Sequence, residues 1–467
     1  MLTATPAPSP GHIGQPSAAR KMTERLRRAA ERPVCAESVA AARILFGLMV
    51  MFSSVRFIAN GWVGRLWIEP AAHLTYPGFD WVRPLPGAWM YVLPVLSAVA
   101  GLAIALGWRH RLATGVFLIA FTWTELIDAA LYLNHYWFLT LVGVLMLVLP
   151  VHQLWSLDAR SGRVDAHAWV PAGTVWALRA QVGVVYVFAG LAKLNPDWLL
   201  RGQPLQLWLS DRSDAPLVGP LLDIDAVAIL ASWGAAAFDL TIVGWLLWRR
   251  SRAAAWAALV TFHLVTGALF QIGVFPLVMG VMALVFFEPD WPSRVIRRPN
   301  RQRPPTSFTP AATRLRPWVL PTLVLLATIQ LALPLRHFAE PGNVRWNEDG
   351  YYLAWRVMLT EKAGFVDYWV TDATTGQIWI AQPNDVLDDW QVAHASTRPD
   401  LIHATALLLE QELFTHRPGE LEIRVDAWVS MNGRPAARLI NPEVDLLAYE
   451  RGALPNETVL PMPQDSS

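Results

Sequence analysis

The residues best placed to do chemistry sit at the end of an apolar run. The stretch "FAGLAKLNPDW" (188–198) puts Lys193 one turn before Asn195-Pro196, where a helix must stop. The chain has only three lysines, Lys21, Lys193 and Lys362; arginine carries the rest of its permanent positive charge. On a helix, Tyr186, Gly190, Lys193 and Asp197 would share one face. Two readings stay open. In one, Lys193 snorkels, its stem in lipid and its ammonium at the interface, beside Asp197. Or it is a desolvated amine, held neutral and able to act as a general base. Ionisable groups inside spans are costly and therefore functional candidates.

A second polar cluster, Glu125, Asp128, Asn134, His135 and Tyr136, is expected at the outer ends of two apolar segments. It reads as an interfacial hydrogen-bonded group; its spacing is not diagnostic of a metal, and no metal is expected. His152 falls near the opposite membrane face. His263 and Gln271 flank Phe270 at a break between apolar runs. Arg43, Arg179 and Asp239 read as internal polar contacts or helix-end caps. No nucleotide-binding glycine motif, HExxH or GxSxG occurs. With Cys35 as the single cysteine, an internal disulfide is excluded.

The elements that position these residues are expected to be membrane helices. Of the 467 residues 54% are hydrophobic and only 16% charged, with a mean hydropathy of +0.31; soluble domains carry about 25% charge. A net charge of +1 offers no argument for nucleic acid as a partner. Apolar runs place about nine spans, near 38–58, 88–107, 112–131, 137–155, 174–194, 226–248, 253–270, 272–288 and 317–335. Arginines crowd alternate connections, which predicts a cytoplasmic N-terminus and an extracytoplasmic C-terminal region. Arginine and alanine usage suggests a bacterial chain in the inner membrane. No cleaved signal peptide is expected in residues 1–37, which read as a disordered or amphipathic cytoplasmic segment. The membrane unit is expected over 38–336, an extracytoplasmic β-rich α+β domain over 337–450, and a disordered tail over 451–467. In the outer domain "YYLAWRVML" (351–359), "VDYWVTD" (366–372), "QIWIAQP" (377–383) and "LEIRVDAWVSM" (421–431) have strand composition, and 399–415 has helical apolar spacing.

Several segments, in order, resemble the vitamin K-dependent γ-glutamyl carboxylase family, including bacterial members with an HTTM domain. They are "WMYVLP" (89–94), "LNHYW" (133–137), "WSLDA" (155–159), "LRAQVGVVYVFAGLAKLNPDW" (178–198), "FHLVTGALFQIGVFP" (262–276), "EPDWP" (288–292), "GQIWIAQP" (376–383) and "DAWVSMNGRPAARLINPEVDLL" (426–447). The resemblance implies a carbon–carbon lyase with epoxidase activity. Such an enzyme oxygenates a vitamin K hydroquinone (menaquinol-type) with O2. The strongly basic oxygenated species then removes a glutamyl γ-proton, and CO2 adds. A γ-carbon is far too weak an acid for a side-chain base, so the protein's base needs only to deprotonate the quinol.

That role falls on Lys193, with His135 and His152 as further catalytic candidates; of these, His152 is one residue out of the family register. Asn134, Tyr136, Tyr186, Gly190, His263, Phe270 and Gln271 are implied quinone contacts. Gln377, Ile378, Trp379, Trp390 and Trp428 are implied glutamate contacts. The implied partners are the lipid bilayer, a naphthoquinol and a glutamate-containing peptide or protein. The alternatives are a quinol epoxidase or monooxygenase without peptide carboxylation, and a non-catalytic membrane scaffold or carrier.

Overall fold

The computed structural model describes residues 18–216, 218–270, 272–296, 315–414 and 420–463. An amphipathic helix α1 (Ala18–Ala30) and a short strand β1 (Pro33–Cys35) lead into the membrane helices. These are α2 (Glu37–Ala59), α3 (Val92–Leu106), α4 (His110–Leu126), α5 (Asn134–Val148), α6 (Ala172–Ala192), α7 (Asp225–Leu247), α8 (Arg252–Leu269), α9 (Phe275–Met282) and α10 (Val319–Leu335). Six apolar helical segments, those built on α2, α3, α6, α7, α8 and α10, are long enough to cross a bilayer. The expected spans at 112–131, 137–155 and 272–288 form shorter helices of 17, 15 and 8 residues, so a count of nine full crossings is not reached among the described residues. Polar breaks around Asp128 and Asn134, and Pro276 in the first turn of α9, shorten them.

The bundle packs through small residues where backbones meet. At the crossing of α2 and α3, a Cβ on Gly101 would stand 2.6 Å from the Met51 backbone nitrogen, so only glycine fits. Arg43, fully buried on α2, donates to the carbonyls of Ile104, Ala105, Val151 and Trp155. Arg179 does the same for Val285, Phe286 and Phe287. Both are internal caps, satisfying helix-end carbonyls that water cannot reach.

The C-terminal region holds a four-stranded antiparallel sheet in the order β4-β3-β5-β6, formed by β3 (Lys362–Asp372), β4 (Ile378–Ala381), β5 (Leu421–Met431) and β6 (Ala437–Arg438). A further strand, β2 (Trp169–Pro171), pairs with β1 beside the bundle. Alternation along β5 turns Leu421, Ile423, Val425, Ala427, Val429 and Met431 inward, onto α11 (Asp389–Ala395) and α12 (Pro399–Leu413). The register sets Tyr368 against Val425.

Two expectations for this region are corrected. "YYLAWRVML" has strand composition but forms turns, with Leu353, Trp355 and Met358 at positive φ. Residues 451–463, expected to be without structure, bridge Val459 to Ile440 and cap the sheet domain, because Val459 and Met462 pack against its core.

Candidate functional site

Helix α6 ends at its C-cap, Lys193. Asn195 then accepts from the Trp198 backbone amide and Pro196 opens a new short helix, Pro196–Arg201, so the chain changes direction just past the lysine. Lys193 is only 5% exposed and does not snorkel. Its Nζ donates to Asp239 Oδ2 at 2.8 Å and lies 5.2 Å from the centre of the Trp198 ring. Asp239, on α7, is equally buried. Each charge is tolerable there only because of the other. Sequence spacing had pointed to Asp197 as the partner. The restart at Pro196 breaks the helical periodicity on which that spacing relied.

Lys193 and Asp239 line a cavity of about 330 Å³ between α6, α7, α8 and the start of α9. The same walls carry a second polar pair: the Tyr186 hydroxyl lies 2.7 Å from His263 Nε2. His263 Nδ1 is buried with no protein partner. Otherwise the walls are apolar and aromatic, with Val185, Phe262, Phe270 and Phe275 among them. The volume falls within the range of small-molecule sites, which are mostly apolar with a few fixed polar groups. A second chamber of about 420 Å³ adjoins it, sharing Leu269, Phe270, Ile272 and Met358, and reaches Arg212, Tyr351 and Thr360.

The structure brings together Lys193, Tyr186, His263 and Phe270 from the sequence candidates. His135 stands behind this wall: its ring is 5.8 Å from Phe275, which also contacts His263. Tyr136 packs on His135 and Phe121. Asn134 donates to the Arg356 carbonyl and accepts from the Tyr132 hydroxyl, holding a loop rather than lining the cavity. Gly190 makes room for α7, since a Cβ there would meet Leu240 at 2.8 Å.

His152 belongs to a separate group, stacked on His110 at 4.8 Å, away from the cavity. Burial, with Arg111, pushes its pKa down to about 4. Gln271 lies outside the described residues. Gln377, Ile378 and Trp379 lie on or just before the edge strand β4. Trp390 packs against the core of the sheet domain, and Trp428 sits under Arg438 on the open face of the sheet. None of these five lines either chamber. Among the described residues no group of three or more His, Cys, Asp or Glu is placed to hold a metal ion.

Sequence reasoning missed the role of Asp239, noted only as an internal polar residue. It also missed the true partners of Asp197. That carboxylate accepts from Arg345 at 2.8 Å, from Asn432 at 3.1 Å, and from Arg434 through both oxygens at 3.0 and 2.5 Å. Burial raises its pKa, but the bonds from Arg434, Arg345 and Asn432 outweigh this and hold it below the usual carboxylate range. Residues 345, 432 and 434 come from the C-terminal region, so this clamp ties the sheet domain to the turn that follows Lys193.

Comparison with known families covers both halves of the molecule. No solved structure matches the chain. Residues 31–291, the part of the helical bundle that supplies Lys193 and most of its cavity, match the model of the HTTM domain. Residues 315–465 match the model of the vitamin K-dependent gamma-carboxylase lumenal domain, which assigns this region to the extracytoplasmic side. With the two matches in succession along one polypeptide, and both contributing walls to the Lys193 cavity, this chain belongs to the vitamin K-dependent γ-glutamyl carboxylase family.

Proposed function

We propose that the protein is a vitamin K-type carboxylase that couples epoxidation of a membrane naphthoquinol to carboxylation of glutamyl side chains. The family implies vitamin K hydroquinone, O2 and CO2 as co-substrates. The observation that carries the reading is the buried Lys193–Asp239 pair on the wall of an apolar cavity at the end of α6. The site fits a quinol: aromatic walls for a flat ring system and two polar pairs for its hydroxyls, one of them ending in an unpartnered imidazole nitrogen. When bound, the quinol supplies through its oxidation the basicity that no side chain has.

The chain's own residues do the rest. Asp239 orients Lys193 and takes the ammonium's proton, leaving a neutral amine whose lone pair can accept one from a hydroxyl presented to it. Tyr186 and His263 hold the other end of the ring and can pass a proton between them. Phe270 and Met358, at the junction of the two chambers, screen the cavity from water, which strengthens each of these interactions. In this reading the membrane unit spans 38–336 and the outer unit 337–450, in a bacterial inner membrane with a cytoplasmic N-terminus. His135 acts through Phe275 as a positioning residue.

The separation of Gln377, Ile378, Trp379, Trp390 and Trp428 from both chambers favours, as a second reading, quinol epoxidation without peptide carboxylation. One experiment tests both. Purified protein is given vitamin K hydroquinone, O2, labelled bicarbonate and a glutamate-containing peptide. Epoxide together with labelled peptide supports the first reading; epoxide alone supports the second. Folded protein that yields neither product would sink both.

A further inference from the structure

The wall of the Lys193 cavity is sealed on most sides and open on one. Among its described lining residues three are exposed: Ala231 and Gly234 on α7, and Val265 on α8. Both helices are long and apolar enough to cross the bilayer, so the surface these residues expose meets lipid. Leu230, Trp233 and Leu264 beside them are exposed apolar side chains on the same face. A Cβ on Gly234 would meet nothing within 4 Å, so packing does not require glycine there as it does at Gly190. Four residues further along α7 the two helices close on each other, where the rings of Phe238 and Phe262 stack at 4.3 Å. The opening is therefore a slot between α7 and α8, with the stacked rings at one end.

The other way out leads to water. Toward the sheet domain the cavity ends on Val357 and Met358. Their loop is pinned: the Tyr132 hydroxyl accepts from the Leu353 amide at 2.7 Å, and Trp355 Nε1 donates to Gln330 at 3.1 Å. Past Met358 lies the second chamber, whose wall includes the exposed Asp211 and Arg212. A hydrocarbon chain leaving by that route would be hydrated at a cost. Nor can the cavity enclose a long chain itself. Its volume of about 330 Å³ is at the low end of the roughly 300–1,000 Å³ that houses a drug-sized ligand. The polar partners for a ring lie inside it: the Lys193–Asp239 pair, and His263, 3% exposed, with Nδ1 buried and without a protein partner. A ligand with a polar ring and a long apolar tail fits in one way, with the ring inside and the tail out through the slot among the lipid chains.

We propose that the slot between α7 and α8 is the portal by which a tailed naphthoquinol enters sideways from the bilayer. Ala231, Gly234 and Val265 flank its first isoprenoid unit and set a preference for tailed over tailless quinols. This rests on the quinol reading above. The second chamber is left free for a water-borne co-substrate, so the two substrates approach from different media.

The full chain in lipid nanodiscs is irradiated with a naphthoquinone carrying a diazirine on its first isoprenoid unit, and the adducts are mapped by peptide mass spectrometry. They are expected on 230–235 of α7 or 264–269 of α8, and excess unlabelled tailed quinone should displace them. Adducts confined to other helices or to the second chamber overturn the proposal. So does labelling of the slot that the unlabelled quinone does not displace, which is ordinary lipid contact. The second arm compares epoxide formation from a tailed naphthoquinol and its tailless counterpart, as a ratio of kcat/KM values. Gly234→Phe fills the open space and should cut the wild-type ratio by about tenfold or more. Leu230→Phe, on the lipid face outside the cavity wall, should keep it. A wild type without preference for the tail, or an unchanged ratio in Gly234→Phe, overturns the proposal. If Gly234→Phe does not fold, the adducts on the wild type decide. Failure of the quinol reading shows separately, as wild-type protein that makes epoxide from neither quinol.

Discussion

Four residues apart in the sequence, Lys193 and Asp197 stand in two opposite kinds of buried ionic site. Asp197 is over-satisfied: Arg345, Arg434 and Asn432 fill its lone pairs, and no cavity reaches it among those described. Lys193 has one carboxylate partner, Asp239, and an open side facing an apolar chamber. A charge whose hydrogen bonds are all made is held in place. A charge with a single carboxylate partner and empty space beside it is available to a substrate. The turn at Asn195-Pro196 creates both sites from one helix end, sending Lys193 inward to α7 and Asp197 outward to the sheet domain.

Breaking the clamp should have the largest effect on stability. Asp197→Ala leaves Arg345 and Arg434 buried without their shared anion and is expected to cost about 3–5 kcal/mol, read as a lowered unfolding temperature. The sign with pH follows from the depressed pKa of Asp197. Its stabilisation is present above the ordinary carboxylate range and is lost as pH falls through the folded value. The wild type should therefore lose stability in acid more steeply than Asp197→Asn.

The open pair should respond in the other currency. Asp239→Asn keeps the shape but removes the charge that orients Lys193. Epoxide formation should drop by about 10–100-fold while the protein still unfolds cooperatively. If instead Asp239→Asn destabilises as much as Asp197→Ala and leaves the rate per folded molecule unchanged, the two sites are alike and the contrast fails.

Tyr186→Phe probes the far end of the cavity. It strips His263 of its partner and is expected to raise the half-saturating quinol concentration by up to about tenfold, in line with a lost hydrogen bond to a buried group. The smallest effect belongs to Asp349. Burial, with Glu340, Asp400 and Glu348, raises its pKa to about 6. The folded state thus favours the protonated acid, and stability from this group is lost as pH rises from about 4 through 6. Asp349→Asn should flatten that slope and gain about 1 kcal/mol at pH 7, as measured by denaturant unfolding at both pH values.

How much of this was legible depended on how local each determinant is. Lys193 stood out because lysine is rare here and a proline follows it. The strands β3, β4 and β5 showed in their strand-like composition. The Lys193–Asp239 pair spans 46 positions and two helices, so no spacing rule finds it. "YYLAWRVML" misled because aromatic and β-branched composition says that a segment packs, whereas its hydrogen bonds to Tyr132, Asn134 and Gln330 fix how. The Asn-His segment "LNHYW" was recognisable, yet His135 lies one aromatic ring behind the cavity, a distinction only packing makes.

The central claim is that Lys193 takes the quinol's proton. It is tested most directly by the rate of epoxide formation from vitamin K hydroquinone and O2 by Lys193→Met protein, compared per folded molecule with wild type. The account predicts a fall of about 10²–10⁴-fold, with an unfolding temperature showing that the bundle is intact. Epoxide at the wild-type rate from the Met variant would contradict it and leave Lys193 as a structural cation.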